Sequence, residues 1–375
     1  MSKRLLKTFE EDNNLNNVLV PLSIDVDEVI YLYHHDVSQR KINNCSKVLN
    51  KYKKLKVLYK KVKEEEVEKY ITEDTVVDIS ASKYLSIVLY EEALKNDLKV
   101  IYYDEEERVV KEYNNHKVYG DKMFSLKIED IVTLGGGRII SMMHKPVQDR
   151  RTIDMIYKAV DQAGSQYNLF TAYVSRVNSF LADYENDRNS YHLSDNVVRK
   201  IVTDEQYIRY KDLNLFEING NDLKFVNGDI RRIFMVTGAF LENYIYHKLS
   251  ESNYFDDVMM SSTIEFNDEK WKYPVSCEID CLVLKDNNLL FVSIKSNKVE
   301  KDDLNEIKVH NVVFGNRQSS PVICINSDLS NKKPSIYAKA EELGVYVIDS
   351  SSFQRGEMVD KFISIMEGTY EYEKI

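Results

Sequence analysis

The sequence predicts an α/β protein, and three observations lead there. Strand and helix signals alternate from residue 1 to about 145. Long helical patterns and a short hairpin fill about 146–226. A helix, a meander of strands and further helix–strand alternation occupy 227–375. The first pattern builds a parallel, doubly wound sheet, and the last builds a mixed sheet. Three domains are therefore expected: 1–145, 146–226 and 227–375. A chain of 375 residues can bury two or three cores.

In the first segment Leu5–Phe9 reads as a short strand and Glu10–Asn14 as a polar loop with capping residues. Leu15–Leu22 follows as a helix and Glu28–Tyr33 as a buried-type strand. Asn43–Tyr59 is expected to be one helix, basic on one side, and the lysines of Lys51–Lys63 a solvated face. Thr75–Ile79 is a strand, Ser80–Lys83 a loop, Tyr84–Asn96 an amphipathic helix and Lys99–Tyr103 a strand. Doubly wound sheets bind ligands in loops at the carboxyl ends of their strands, which is where Glu10–Asn14 and Ser80–Lys83 fall. Leu134-Gly-Gly-Gly-Arg138 matches no phosphate-loop pattern and reads as a turn or bulge.

The middle segment opens with helical patterns over Arg151–Ala182, broken by polar Asp183–Asn189. A two-stranded wing at Phe216–Val226 completes a small winged-helix-like linker, read as a connector or dimerisation element. In the third segment a helix is expected at Ile233–Leu249. Strands follow near Val258–Phe266, Cys277–Leu284 and Leu289–Lys295. A helix at Asp302–Phe314, a strand at Pro321–Asn326, a helix at Ser335–Leu343 and a strand at Val345–Ile348 complete it.

Composition narrows the function classes. With a formal net charge of −10, any grip on nucleic acid must come from local basic residues. No apolar run approaches the roughly 20 residues of a membrane span. The basic start Met1–Lys7 runs at once into acidic residues, a poor signal peptide. The cysteines, Cys45, Cys277, Cys281 and Cys324, are scattered and have no Cys/His partners at zinc spacing. A reduced, cytoplasmic protein is expected.

The chemistry concentrates in Glu278–Lys295, two strands joined by a tight polar turn at Lys285–Asn288. Side chains alternate along a strand, so Glu278 shares a face with Asp280, and Ser293 with Lys295. Two carboxylates and a lysine suit a divalent cation and a phosphodiester: the acids hold the hard cation and the ammonium neutralises charge on phosphate or on attacking water. The bland alternative is a pair of half-buried strands whose outer faces carry charge.

These residues resemble a known family. Gly238-Ala-Phe-Leu-Glu242 resembles the first helix of PD-(D/E)xK restriction-like nucleases, Glu278-Ile-Asp280 their metal-binding strand, and Phe291-Val-Ser-Ile-Lys295 their (D/E)xK strand. The N-terminal segment resembles the Rossmann-like CARF sensor domain, with Glu10–Asn14 and Ser80-Ala-Ser-Lys83 as its ligand loops. The domain order resembles the Can/Card nucleases of type III CRISPR defence. The resemblance implies a homodimer that binds a cyclic oligoadenylate, cyclic tetra-adenylate, across its two sensor domains. It also implies manganese- or magnesium-dependent cutting of single-stranded RNA or DNA, or nicking of duplex DNA, in antiviral defence.

Carried onto this chain, Lys83 pairs with ligand phosphate, and Ser80, Ala81 and Ser82 offer hydroxyls and N–H groups at a helix start, whose dipole favours anions. Ala81 and Ser82 replace the family's glycine and threonine. Glu10, Glu11 and Asp12 would repel phosphate and so suit ribose hydroxyls or adenine amino groups, as do Asn13 and Asn14. Asp280 is the leading metal ligand, with Glu278 and Glu242 beside it; Glu242 holds a metal-bound water or stands behind the ligands. Lys295 orients or activates the attacking water. Ser293 departs from the family, because it stands where a second carboxylate is usual. The missing charge can come from Glu278 or from Glu306 on the next helix, or the site is degraded; retained activity is favoured. Lys270–Tyr273 with Trp271, and Lys295–Lys301, are candidates for gripping substrate. The competing readings are a non-catalytic CARF nucleotide sensor or transcription regulator, and a restriction or repair nuclease without a second messenger.

Overall fold

The computed structural model describes residues 3–81, 83–120, 123–266, 274–296, 298–315, 319–327, 329 and 334–372. The chain forms two compact units, one of residues 1–138 with 265–275 and 313–318, the other of 139–264, 276–312 and 319–375.

The first unit holds β1 (Arg4–Thr8), α1 (Asn14–Ser23), β2 (Glu28–Tyr33), α2 (Gln39–Tyr52), β3 (Lys56–Lys61), β4 (Thr75–Asp78), α3 (Tyr84–Lys95), β5 (Lys99–Asp104), β6 (Val109–Glu112) and α4 (Ile128–Gly135). Its sheet runs β3-β2-β1-β4-β5-β6. The first five strands are parallel and β6 is antiparallel to β5. Both faces are covered, as a parallel sheet requires. Leu85, Leu89 and Ala93 of α3 pack against Leu6, Ile30, Leu32, Val77 and Val100, while α1, α2 and α4 pack against one another. Strand order reverses between β1 and β4. There Lys7 Nζ meets Asp78 Oδ2 at 2.6 Å, with the two side chains 1% and 0% exposed. Lys7 also donates to the Asn16 carbonyl at 2.9 Å.

The second sheet runs β16-β15-β14-β13-β12-β7. Its strands are β7 (Gly137–Met142), β12 (Asp257–Phe266), β13 (Val275–Lys285), β14 (Asn288–Lys295), β15 (Ser319–Ile325) and β16 (Tyr346–Ile348). Strands β13 and β14 are antiparallel, and β14, β15 and β16 parallel. Before them come α5 (Arg150–Ala163), α6 (Tyr167–Leu181), β8 (Asn186–Asp187), β9 (Ser190–His192), α7 (Asp195–Val202), α8 (Glu205–Tyr210), β10 (Phe216–Asn219) and β11 (Asp222–Phe225). A small sheet, β10-β11-β9-β8, contains the wing. Helices α9 (Gly228–Phe234), α10 (Ala239–Glu251), α11 (Lys301–Phe314), α12 (Pro334–Leu343), α13 (Ser350–Gln354) and α14 (Met358–Met366) complete this unit, apart from the last residues of α11. Phe170, Tyr210, Phe234, Phe240, Cys281, Val292 and Phe362 share one continuous core.

Two expectations are corrected. The helix over Asn43–Tyr59 stops at Tyr52, where Lys53 turns extended, and Lys56–Lys61 is instead the edge strand β3. Alternation across Val57, Leu58 and Tyr59 lets Tyr59 stack on Tyr31 at 4.9 Å, and lysines suit an exposed edge. Of the lysines expected on a solvated face, Lys51 of α2 pairs with Asp130 and Lys56 of β3 with Glu28, and both side chains remain exposed. The helix over Ile233–Leu249 is two helices, broken where Gly238 takes φ +95°. The run Leu134–Arg138 makes the turn expected there, between α4 and β7: Gly136 is the left-handed cap of α4, and a Cβ on Gly135 would lie 2.1 Å from the Phe314 carbonyl oxygen.

Asp78→Ala would strand the Lys7 ammonium in the interior. A loss of about 3–5 kcal/mol is expected in denaturant unfolding; a loss under about 1 kcal/mol would show that the pair carries little of the fold.

Candidate functional site

Each unit gathers one candidate site. In the first, the loops after β1 and β4 lie side by side where strand order reverses, the position at which open α/β sheets take ligands. A cavity of about 310 Å³ opens there, lined among others by Glu11, Asp12, Tyr33, His34, Lys83 and Tyr84. Lys83 Nζ bonds Asp12 Oδ2 at 3.2 Å, joining the two loops. His34 Nδ1 lies 2.9 Å from the Val62 carbonyl, which makes Nδ1 the donor.

The other expected ligand residues turn inward. Asn14 Nδ2 donates to the Leu134 carbonyl at 3.1 Å, and the Glu10 backbone exchanges hydrogen bonds with the Asn17 amide at 3.0 and 2.8 Å. Glu10, Asn13, Asn14 and Ala81 are buried. Ser80 donates its hydroxyl to Asp78 and accepts the Tyr103 N–H at 2.8 Å. These residues shape the loops, while Glu11, Asp12 and Lys83 face the cavity. Ser82 lies outside the described residues. Sequence reasoning missed the loop after β2, with Tyr33, His34 and His35, although it too ends a parallel strand of this sheet.

In the second unit the β13–β14 hairpin forms as expected. Asp286 and Asn287 take φ +49° and +65°, the two left-handed residues of a type I′ turn. That turn pairs Lys285 with Asn288 and Cys281 with Val292. Beyond this register Asp280 meets β14: its Oδ2 accepts the Ile294 N–H at 2.6 Å and the Ser293 hydroxyl at 3.4 Å. Glu242 sits in the first turn of α10, and its Oε2 accepts the Ser261 hydroxyl at 3.3 Å.

A small cavity of about 100 Å³ is lined by Glu278, Asp280, Ser293, Lys295, Glu306 and His310, among others. Lys295 Nζ is held by Asp303 Oδ1 at 2.9 Å. Asp303, Glu306 and His310 follow at helical spacing on α11, so the helix presents one polar face here. A larger cleft of about 560 Å³, lined by Asp149, Arg151, Thr152 and Asn227 among others, shares none of these residues. There Asp149 and Asn227 are occupied capping α5 and α9.

Electrostatics mark the acids as unusual. Burial and the Asp280 charge push the Glu242 carboxyl up to about 8, against the Ser261 hydrogen bond. Burial also raises Asp280, against the Ile294 N–H and the Lys295 charge, with Glu278 adding to the rise. Burial opposes the charge on Lys295, but Asp303, with Asp280 and Glu306, outweighs it and raises that pKa. Lys295 is therefore a fixed positive charge at neutral pH, fitted to stabilise anionic oxygen. Burial lowers His310, so its imidazole is neutral. Among the described residues no group of three or more His, Cys, Asp or Glu side chains is gathered closely enough to hold a metal ion alone. Lys270–Tyr273, with Trp271, and Asn297 lie outside the described residues.

The raised Glu242 pKa has a consequence for stability. Between its ordinary 4.5 and about 8 the folded protein holds a proton that the unfolded chain has released. Stability from this group is thus lost as pH rises through that window. In metal-free protein the melting temperature of Glu242→Gln is expected to gain on the parent between about pH 5 and 8. A constant difference in scanning calorimetry would show that Glu242 titrates normally.

No protein-family model matches the chain, and no curated protein does. Solved structures do. VC1899 from Vibrio cholerae superimposes with a TM-score of 0.77 at 13% identity, covering 98% of each chain. Can2 from Sulfobacillus thermosulfidooxidans, solved in complex with cyclic tetra-adenylate, superimposes with a TM-score of 0.68 at 13% identity, covering 96% of this chain and 99% of that one. The chain has the fold of these two proteins along nearly its whole length.

Proposed function

We propose that the chain is a metal-dependent nuclease of type III CRISPR defence, switched on by a cyclic oligoadenylate. The observation that carries this reading is the buried pair of acids, Glu242 and Asp280, both with raised proton affinity, the first in part through the charge of the second, beside the charged Lys295. Acids gathered in this way are suited to share a cation. Magnesium or manganese fits, because such ions are held by one or two carboxylates and complete their shell with water and substrate phosphate. A site with fewer than three protein ligands suits that chemistry. When bound, the ion supplies an activated water and a clamp on phosphate oxygen.

The chain's own groups do the rest. The Ile294 N–H fixes the Asp280 carboxylate, and Asp303 aims the Lys295 ammonium. A positive Lys295 stabilises the pentacovalent phosphate rather than removing a proton from water. Ser293 only hydrogen-bonds Asp280, while Glu278 from β13 and Glu306 from α11 line the same cavity and can supply the charge that Ser293 lacks. The linker is read as 146–226, between a sensor of 1–145 and a nuclease domain of 227–375.

The activator is cyclic tetra-adenylate, bound where Asp12 and Lys83 join the loops after β1 and β4. Breaking that pair frees Lys83 for phosphate, while Asp12 and Glu11 accept from ribose hydroxyls or adenine amino groups. The Can2 structure, solved with this ligand, supports the choice. A homodimer agrees with the exposed stripe of Tyr84, Ile87 and Leu94 on α3, whose first residue lines the cavity. The rival reading, a sensor without catalysis, draws on Ser293 and on the absence of a three-ligand group among the described residues.

Single-stranded RNA, single-stranded DNA and supercoiled plasmid, each with manganese and with or without cyclic tetra-adenylate, test the reading. Cleavage is expected only with the ligand, and Asp280→Ala is expected to reduce it at least about a thousandfold. An Asp280→Ala protein that cuts like the parent removes the assigned site; no cleavage with ligand binding intact leaves the sensor reading. By calorimetry Lys83→Ala should weaken cyclic tetra-adenylate about tenfold or more, and unchanged affinity places the ligand elsewhere.

A further inference from the structure

Glu242 is gripped from two sides by residues whose backbones are both left-handed. Gly238, at the start of α10, has φ +95°, and a Cβ there would lie 3.2 Å from Glu242 Oε1. Ser261, in the middle of β12, has φ +47°, and its hydroxyl donates to Glu242 Oε2 at 3.3 Å. One oxygen rests over a bare Cα while the other is held by a hydroxyl. This leaves the carboxyl group little freedom to turn away from Asp280.

The conformation of Ser261 is out of place. An L-residue other than glycine, asparagine or aspartate rarely adopts it, and hardly ever inside a strand. Nor is the residue loose: it is 1% exposed, and its carbonyl accepts the Met143 N–H at 2.9 Å. Distortion of this kind re-aims a side chain, and it persists where the surroundings impose it. Glycine would take this backbone without strain. What serine adds is the hydroxyl, and that hydroxyl goes to Glu242.

The geometry points to Ser261 as a positioning residue: its strained backbone aims the hydroxyl that fixes the Glu242 carboxylate for cation binding. This rests on the nuclease reading and adds to it a residue that no motif includes. Glu242, rather than serving as a passive acid, is set in place jointly by Gly238 and Ser261.

Ser261→Gly tests this, since it takes the left-handed backbone without strain and removes the side chain that carries the hydroxyl. The full chain with cyclic tetra-adenylate would be titrated with manganese chloride in a calorimeter, then assayed and melted. Manganese affinity and kcat are each expected to fall about tenfold, with KM for nucleic acid unchanged and the melting temperature equal to or above the parent's. Ser261→Ala should show the same functional loss at a lower melting temperature. A Ser261→Gly protein with parental affinity and kcat overturns the inference, as does one that melts well below the parent. A parent that neither binds manganese nor cuts overturns the nuclease reading together with it.

Discussion

The Ile294 amide donates to Asp280 across the β13–β14 hairpin, and the geometry of the second unit's site hangs on that bond. It forms only if the two strands keep one register, and a single-residue slip would move every side chain to the opposite face. The register is set at the far end by Asp286 and Asn287, both left-handed. It is held along the way by Leu282, Val283 and Leu284 facing Phe291, Leu290 and Leu289. A two-residue turn and a row of apolar pairs thus decide where an acid sits at the other end of the strand. Helix α10 then brings Glu242, and α11 brings Asp303, Glu306 and His310.

The first unit uses a buried ion pair in the same way. Lys7 and Asp78 are register partners on β1 and β4 as well as salt-bridge partners. Asp78 also accepts the Ser80 backbone N–H at 2.8 Å, so the pair that closes the switch point shapes the loop after β4. Burying such a pair gains little net stability over an apolar one. What it adds is direction, because both loops leave the sheet from a fixed point and Lys83 and Asp12 can meet above it.

Much of this was legible in the sequence. Strand–helix alternation predicted the parallel sheet, and the period of two in Glu278–Lys295 placed Asp280 and Lys295 on the hairpin. Where reading failed, a local pattern competed with a tertiary one. Lysines at helical spacing hid the strand Lys56–Lys61, which exists because Tyr59 stacks on Tyr31. Gly238 lies inside the single helix expected over Ile233–Leu249 but breaks it, leaving Glu242 in a first turn. Asp303, Glu306 and His310 carried a usable signal in their helical spacing. Ser261 carried none, because a left-handed backbone inside a strand leaves no mark when the residue is serine. Ser80 and Asn14 looked like ligand groups because polar loop residues do, yet their hydrogen bonds hold the loops themselves.

Diffraction from crystals soaked in manganese chloride, collected at a wavelength where manganese scatters anomalously, tests the central claim most directly. The claim is that the buried acids of the second unit form a cation site. The expected result is an anomalous peak within coordination distance, about 2.0–2.6 Å, of an Asp280 carboxylate oxygen, with Glu242 beside it or reaching it through one water. Crystals with no peak there, or with manganese only at surface carboxylates, would contradict the claim and leave the hairpin as two charged strands.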